Sequence, residues 1–164
     1  MRESIISYYD ILMGKAITNS EYRALAELRY RIRQFLSGTD EAARRAGLEP
    51  QQYLLMLTVR GLPEGEEATI GLLAQRLALR HNTAVELVNR LEKHGYVRRE
   101  RTGDDRRQVQ VSLLPAGAKL VRRVARQRIA DLREDGVALV NALHSVIGKS
   151  ALSRKSPETA GGRS

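Results

Sequence analysis

The sequence predicts a mostly helical fold with one small β-hairpin, and three observations carry that prediction. Apolar residues recur at helical spacing through residues 20–95 and again from Pro115. Two short helical stretches, Ile70–Leu77 and Asn82–Lys93, follow one another across the brief connection Ala78-Leu79-Arg80-His81. The period then drops to two at Val109, Val111 and Leu113, as in a half-buried strand.

Each element has its own warrant. From Ser20 to about Gly47 the chain is rich in Ala, Leu, Arg and Glu and free of Pro, with an apolar stripe at Leu25, Leu28, Ile32, Phe35 and Leu36. Ser37-Gly38 is expected to bend or interrupt this helix, and Gly47 to stop it. Pro50 suits the first turn of a second helix, with Tyr53, Leu54, Met56, Leu57 and Val59 as core, ended by the turn Gly61–Gly65. Thr69 is the N-cap expected for a third helix, where Ile70, Leu73, Ala74 and Leu77 share a face. A fourth helix, opened by Asn82 or a neighbour and closed by Gly95, turns Ala84, Leu87, Val88 and Leu91 inward. Residues 96–101 and 108–113 then flank a charged tip, the hairpin. Pro115 restarts helix, with Leu120, Val121, Val124, Ala125, Ile129 and Leu132 on one face. Asp135-Gly136 is expected to break it before a last stripe at Val137, Val140, Leu143, His144 and Ile147. Residues 149–164, poor in apolar side chains, are expected to be disordered.

Composition narrows the chemistry. The chain has 164 residues and a net charge of +9, unevenly placed: residues 76–133 hold 15 Lys+Arg against 6 Asp+Glu, while residues 1–75 hold 9 against 10. A uniformly solvated surface would not segregate in this way, so a polyanionic partner is favoured over a bland charged face. The absence of cysteine excludes disulfides, thiolate metal sites and thiol chemistry. No stretch approaches the roughly 18 apolar residues of a membrane span, and Met1–Asp10 does not read as a signal peptide, so a cytoplasmic protein, nucleoid-associated when on DNA, is expected.

Two helices joined by a tight turn form a helix-turn-helix, whose second helix fits the major groove of B-DNA. With the apolar stripe inward, Asn82, Thr83, Val85, Glu86, Asn89, Arg90 and Lys93 face outward, a set suited to base edges and phosphates. Arg80 and His81 precede them at phosphate-contact positions, and Arg106 and Arg107 at the hairpin tip are long enough for an adjacent minor groove. The bland alternatives are a solvated hairpin tip, capping for Asn82, and ordinary surface charge for Arg76, Arg80 and the arginines after Pro115. No phosphate loop, Gly-x-Ser-x-Gly elbow or His-Glu-x-x-His is present, and His81, His94 and His144 lack metal spacing. Neither catalysis, a metal nor a cofactor is expected.

Three stretches carry a resemblance: Ile70–Leu77, Asn82–Val97, and Asp105–Val111 followed by Leu113-Leu114-Pro115-Ala116-Gly117. In that order they resemble the MarR (multiple antibiotic resistance regulator) family of winged-helix transcription factors, over about residues 20–130. The resemblance implies a homodimer joined by its N- and C-terminal helices, two wings, a pseudo-palindromic double-stranded DNA operator, and release by small, often phenolic, anionic effectors. By position, Asp105 resembles the wing carboxylate that orients a tip arginine, here Arg107, and Arg90 the recognition-helix arginine. Val85-Glu86 stands where many members carry a hydroxyl and often a basic residue; Val85 would meet a thymine methyl and Glu86 a cytosine N4. Tyr30, Arg33, Tyr53, Met56 and Arg60 lie on helices that wall the family's effector pocket, though ordinary core and surface positions explain them as well.

The expected organisation is an N-terminal arm (Ile5, Ile6, Tyr8, Tyr9, Ile11, Leu12) and long helix over 1–47 for dimerisation, a winged helix-turn-helix domain over 48–114, dimerising C-terminal helices over 115–148, and the tail. The expected function is a homodimeric regulator that represses, or less often activates. Two alternatives stand beside it: a sequence-independent architectural DNA-binding protein, and a helical module for an acidic protein.

Overall fold

The computed structural model describes residues 17–101 and 109–147. Five helices and one two-stranded antiparallel sheet occupy them: α1 (Asn19–Arg45), α2 (Pro50–Arg60), α3 (Ile70–Arg76), α4 (His81–Lys93), β1 (Val97–Arg101), β2 (Val109–Leu113) and α5 (Pro115–Ile147). The mostly helical fold with one hairpin is as the sequence predicts. Two compact units divide it, one comprising Leu36–Leu132 and the other the described residues 17–35 and 133–147.

Most expected boundaries hold. Gly47 follows α1 at φ +82°, a left-handed conformation that costs a glycine little. Pro50 opens α2, where the Gln52 side chain accepts the Glu49 backbone N–H at 3.0 Å. Thr69 caps α3, its hydroxyl accepting the Leu72 N–H at 3.2 Å.

Two expected interruptions do not occur. α1 runs unbroken through Ser37-Gly38. There a Cβ on Gly38 would stand 3.0 Å from Nη1 of Arg128, so the glycine gives room to a side chain from α5. That guanidinium donates to Thr39 Oγ1 at 3.2 Å and pairs with Asp131 at 2.5 Å. α5 likewise passes through Asp135-Gly136 as one helix of 33 residues. A glycine inside a helix costs about 1 kcal/mol, which the favourable Ala, Leu and Arg around it offset.

The Leu36–Leu132 unit holds the core. Ala42, Ala43, Leu48, Tyr53, Leu55, Met56, Leu73, Leu87, Val88, Leu91, Val97, Val111, Val121 and Val124 are buried in one cluster drawn from every element of the unit. Val97 and Val111 are the inward residues of the two strands, whose register pairs Val97 with Leu113 and Arg99 with Val111. A third extended segment joins the sheet at its base: the Val111 N–H donates to the Ala68 carbonyl at 2.9 Å, and Thr69 bridges Gln110. The turn into α3 is thereby tied to β2.

The other unit buries little. Among its described residues only Ala142 is buried, whereas Tyr22, Leu25, Ile32, Val137, Val140, Leu143 and Ile147 are exposed. His144, on the same stripe, is exposed as well, so within a single chain it is not a core histidine.

Candidate nucleic-acid interface

The site is built on α4. Its four buried residues, Ala84, Leu87, Val88 and Leu91, are those the helical period assigns to the core. The opposite face presents Asn82, Glu86, Asn89 and Lys93 at i, i+4, i+7 and i+11, all exposed, with Arg90 beside them. Thr83 and Val85 flank that face half-buried. The helix starts one residue ahead of Asn82, with exposed Arg80 as N-cap and His81 as first residue. Arg80, not Asn82, is therefore the cap, and its side chain makes no capping bond to the first-turn amides at the positive end of the helix dipole.

α3 and α4 are joined by a turn whose one unusual residue is Ala78, at φ +51°. The Leu79 N–H donates to the Ala74 carbonyl at 2.9 Å and the Ala78 N–H to Gln75 at 3.1 Å, closing α3 so that α4 can leave at a new angle. An alanine here accepts a conformation that costs an L residue about 1–2 kcal/mol.

The far end of α4 is fixed to the sheet. His94 ends the helix and donates from Nδ1 to the Arg90 carbonyl at 2.6 Å, while its ring stacks on Tyr96 with centroids 5.7 Å apart. Glu92 accepts the Arg99 backbone N–H at 3.0 Å and the Arg99 guanidinium at 2.9 and 2.6 Å. Hydrogen bonds from the Arg99 side chain and backbone hold the Glu92 carboxyl below the usual carboxylate range. Pattern reasoning missed this clamp, because the pair joins a helix to a strand across the Gly95 turn, where no single period runs. α5 closes the assembly where Gly117 lies against the Tyr96 carbonyl; a Cβ on Gly117 would stand 2.2 Å from that oxygen.

Cations on this side of the unit fall into two groups. Arg76 pairs with Glu66 at 2.7 Å, Arg98 with Glu100 at 2.7 Å, and Arg99 with Glu92. Arg80, Arg90 and Lys93 have no ion pair among the described residues. Glu86, likewise unpaired there, is the acidic member of the outward face. Asp105, Arg106 and Arg107 lie outside the described residues, as do the N-terminal arm and residues 149–164.

The five candidate effector residues are distributed differently. Tyr53 and Met56 are enclosed in the core of the Leu36–Leu132 unit, and burial raises the Tyr53 hydroxyl pKa although Arg128 acts against the shift. Arg60 is exposed and lines an open cavity of about 330 Å³ with Leu62, Pro63 and Val111. Tyr30 and Arg33 are exposed in the other unit. A larger open cavity of about 490 Å³ lies between the end of α1 and α5, lined by Ala42, Arg45, Ala46, Arg123, Val124 and Gln127. Among the described residues no cluster of three or more His, Asp or Glu could hold a metal, and no helix is long and apolar enough to cross a membrane.

Residues 46–108 match the sequence model of the MarR family. Over 94 residues the chain is 30% identical to an uncharacterized HTH-type transcriptional regulator, YsmB, of Bacillus subtilis, an alignment covering 57% of this chain and 62% of that relative's length. The structure is similar to AbsC, a MarR family transcriptional regulator from Streptomyces coelicolor, with TM-score 0.66 at 21% identity over 85% of this chain and 97% of that one. It is also similar to a mutant of MepR from S. aureus bound to an oligodeoxyribonucleotide, with TM-score 0.53 at 19% identity over 87% and 88% of the two chains. Residues 46–108 thus carry the match to the MarR family, and they lie on a winged helix-turn-helix fold.

Proposed function

We propose that the chain is a homodimeric, DNA-binding transcriptional regulator that represses by occupying a pseudo-palindromic operator. One observation carries this reading: the outward face of α4 gathers amide side chains with Arg90 and Lys93, which have no ion pair among the described residues. A helix about 10–12 Å across fits a major groove of about 12 Å. Asn82, Thr83, Val85, Glu86 and Asn89 would then meet base edges, while Arg80, His81, Arg90 and the first-turn amides meet phosphates. Arg106 and Arg107 would enter the neighbouring minor groove, with Asp105 orienting Arg107. The DNA-bound MepR, of the same fold, supports this placement.

The homodimer rests on the exposed apolar side chains of the unit formed by residues 17–35 and 133–147, which have no core of their own to enter. Release by a small phenolic anion belongs to the same proposal. Arg45, paired with Glu41 at 2.8 Å, and Arg123, which donates to the Ala46 carbonyl at 2.8 Å, line the 490 Å³ cavity and would turn their remaining N–H groups to a carboxylate, in a volume ordinary for a ligand cleft. A shift in the spacing of two recognition helices, set for half-sites about 34 Å apart, would end operator binding.

Capture of source-genome fragments by the full chain, followed by affinity measurements at fixed salt, tests the reading. A regulator prefers its site by about 10³ or more over random duplex. Equal affinity for every duplex would instead indicate an architectural protein. No duplex binding at low salt, with nuclease-resistant copurification of an acidic protein, would indicate an interaction module.

A further inference from the structure

The two acidic residues of α4 are used differently. Glu92 is consumed within the chain, holding Arg99 through three hydrogen bonds. Glu86 is exposed and has no hydrogen bond or ion pair among the described residues, although Arg90 stands one turn on at the favourable i+4 position. It lies on the same face as Asn82, Asn89 and Lys93, turned away from the core stripe. A carboxylate there opposes the local cationic field, and in a groove lined by phosphates it would be repelled unless it accepted hydrogen bonds. The donors on major-groove base edges are the amino groups of cytosine N4 and adenine N6. Adenine presents its acceptor N7 beside N6, a donor–acceptor pair suited to an amide such as Asn82 or Asn89. Cytosine presents a donor with no such adjacent acceptor, which suits a carboxylate.

We infer that Glu86 is a specificity-determining residue that selects a C·G pair in each half-site by accepting from cytosine N4. This rests on the DNA-binding reading above. Glu86 contributes discrimination and opposes affinity: it costs attraction to every duplex and regains it only where a cytosine amino group stands opposite. Binding to phosphates through Arg80, Arg90 and Lys93 is indifferent to sequence, so the two effects separate by experiment.

The test selects binding sites from a randomised duplex library with the full-length protein, its Glu86→Gln and Glu86→Ala variants, and an Asn89→Ala control. The wild type is expected to enrich one invariant cytosine per half-site. Both Glu86 variants should lose that preference by about tenfold at the one position, keep the rest of the motif, and bind random duplex several-fold more tightly. Asn89→Ala should leave the cytosine in place. Unchanged preference at every position in the Glu86 variants would overturn the inference while leaving the regulator reading intact. Equal weakening on all sequences, with unchanged thermal unfolding, would overturn it in favour of a structural role. A wild type that enriches no motif would overturn the regulator reading and this inference with it.

Discussion

Glu92 in the last turn of α4 and Arg99 in β1 form one clamp: the carboxylate takes the strand's backbone N–H at 3.0 Å and its guanidinium at 2.9 and 2.6 Å. α4 and β1 are therefore set relative to each other by a charged pair at the helix end. Both side chains are about one-third exposed, so the pair is worth under about 1 kcal/mol to stability. Glu92→Gln should lower stability by that small amount but weaken operator binding several-fold, by loosening the angle between two DNA-reading elements. The folded-state pKa of Glu92 lies below its unfolded value. Its contribution is therefore complete above the ordinary carboxylate range and disappears as pH falls through the folded value. Urea unfolding from pH 7 into acid should show wild type and variant converging at the acidic end.

Phosphate and groove contacts should separate in salt titrations. Arg90→Ala should reduce the slope of log affinity against log salt by about one and weaken all duplexes alike. Arg107→Ala should cost roughly 1–3 kcal/mol of operator binding with little effect on folding. Asp105→Ala should weaken binding despite removing a negative charge. Fluorescence anisotropy at several salt concentrations checks all three.

Gly117 is fixed by contact. A Cβ there would meet the Tyr96 carbonyl at 2.2 Å, a backbone atom that cannot rotate aside. Gly117→Ala should destabilise by about 1–3 kcal/mol. Gly71, with nothing within 4 Å of its Cβ position, is the comparison: Gly71→Ala should be neutral or stabilising, by up to about 1 kcal/mol. Chemical denaturation reads both.

Ala78 presents the opposite case, a side chain where glycine would be easier. At φ +51° it bears the strain of the left-handed turn, so Ala78→Gly should raise stability by about 1 kcal/mol. A lower midpoint in thermal unfolding would contradict this.

The exposed stripe Val137, Val140 and Leu143 should fail as an interface once charged. Leu143→Lys should shift the sedimenting species toward monomer and, through loss of the paired half-site contact, weaken operator binding by more than about tenfold. The Leu36–Leu132 unit, with its own core, should keep its unfolding transition.

The sequence made legible whatever repeats locally. Ala84, Leu87, Val88 and Leu91 announce the buried face of α4 by period alone, and Thr69 and Pro50 mark helix starts because capping and proline chemistry act over one turn. Asp135-Gly136 misled for the same reason: a local breaker outweighs its neighbours in sequence but not within a 33-residue helix. Gly38 misled too, since its neighbour Arg128 arrives from a helix far along the chain. The Glu92–Arg99 clamp and the Ala68–Val111 pairing depend on chain segments meeting after a turn, which no spacing rule encodes. The outward residues of α4 were legible by subtraction, as what the core stripe leaves over.

The bond from the Val111 amide to the Ala68 carbonyl has a consequence for how the domain assembles. It closes a loop that contains both α3 and α4, so its formation must await synthesis through Val111 and carries the entropic cost of a long closure. The helices can form early from local contacts, but the wing base is a late, non-local lock. Once it is shut, the buried Val111 amide should exchange its hydrogen with water only when the wing base opens. A single backbone proton thus reports whether the segment before α3 and the strand β2 are still joined.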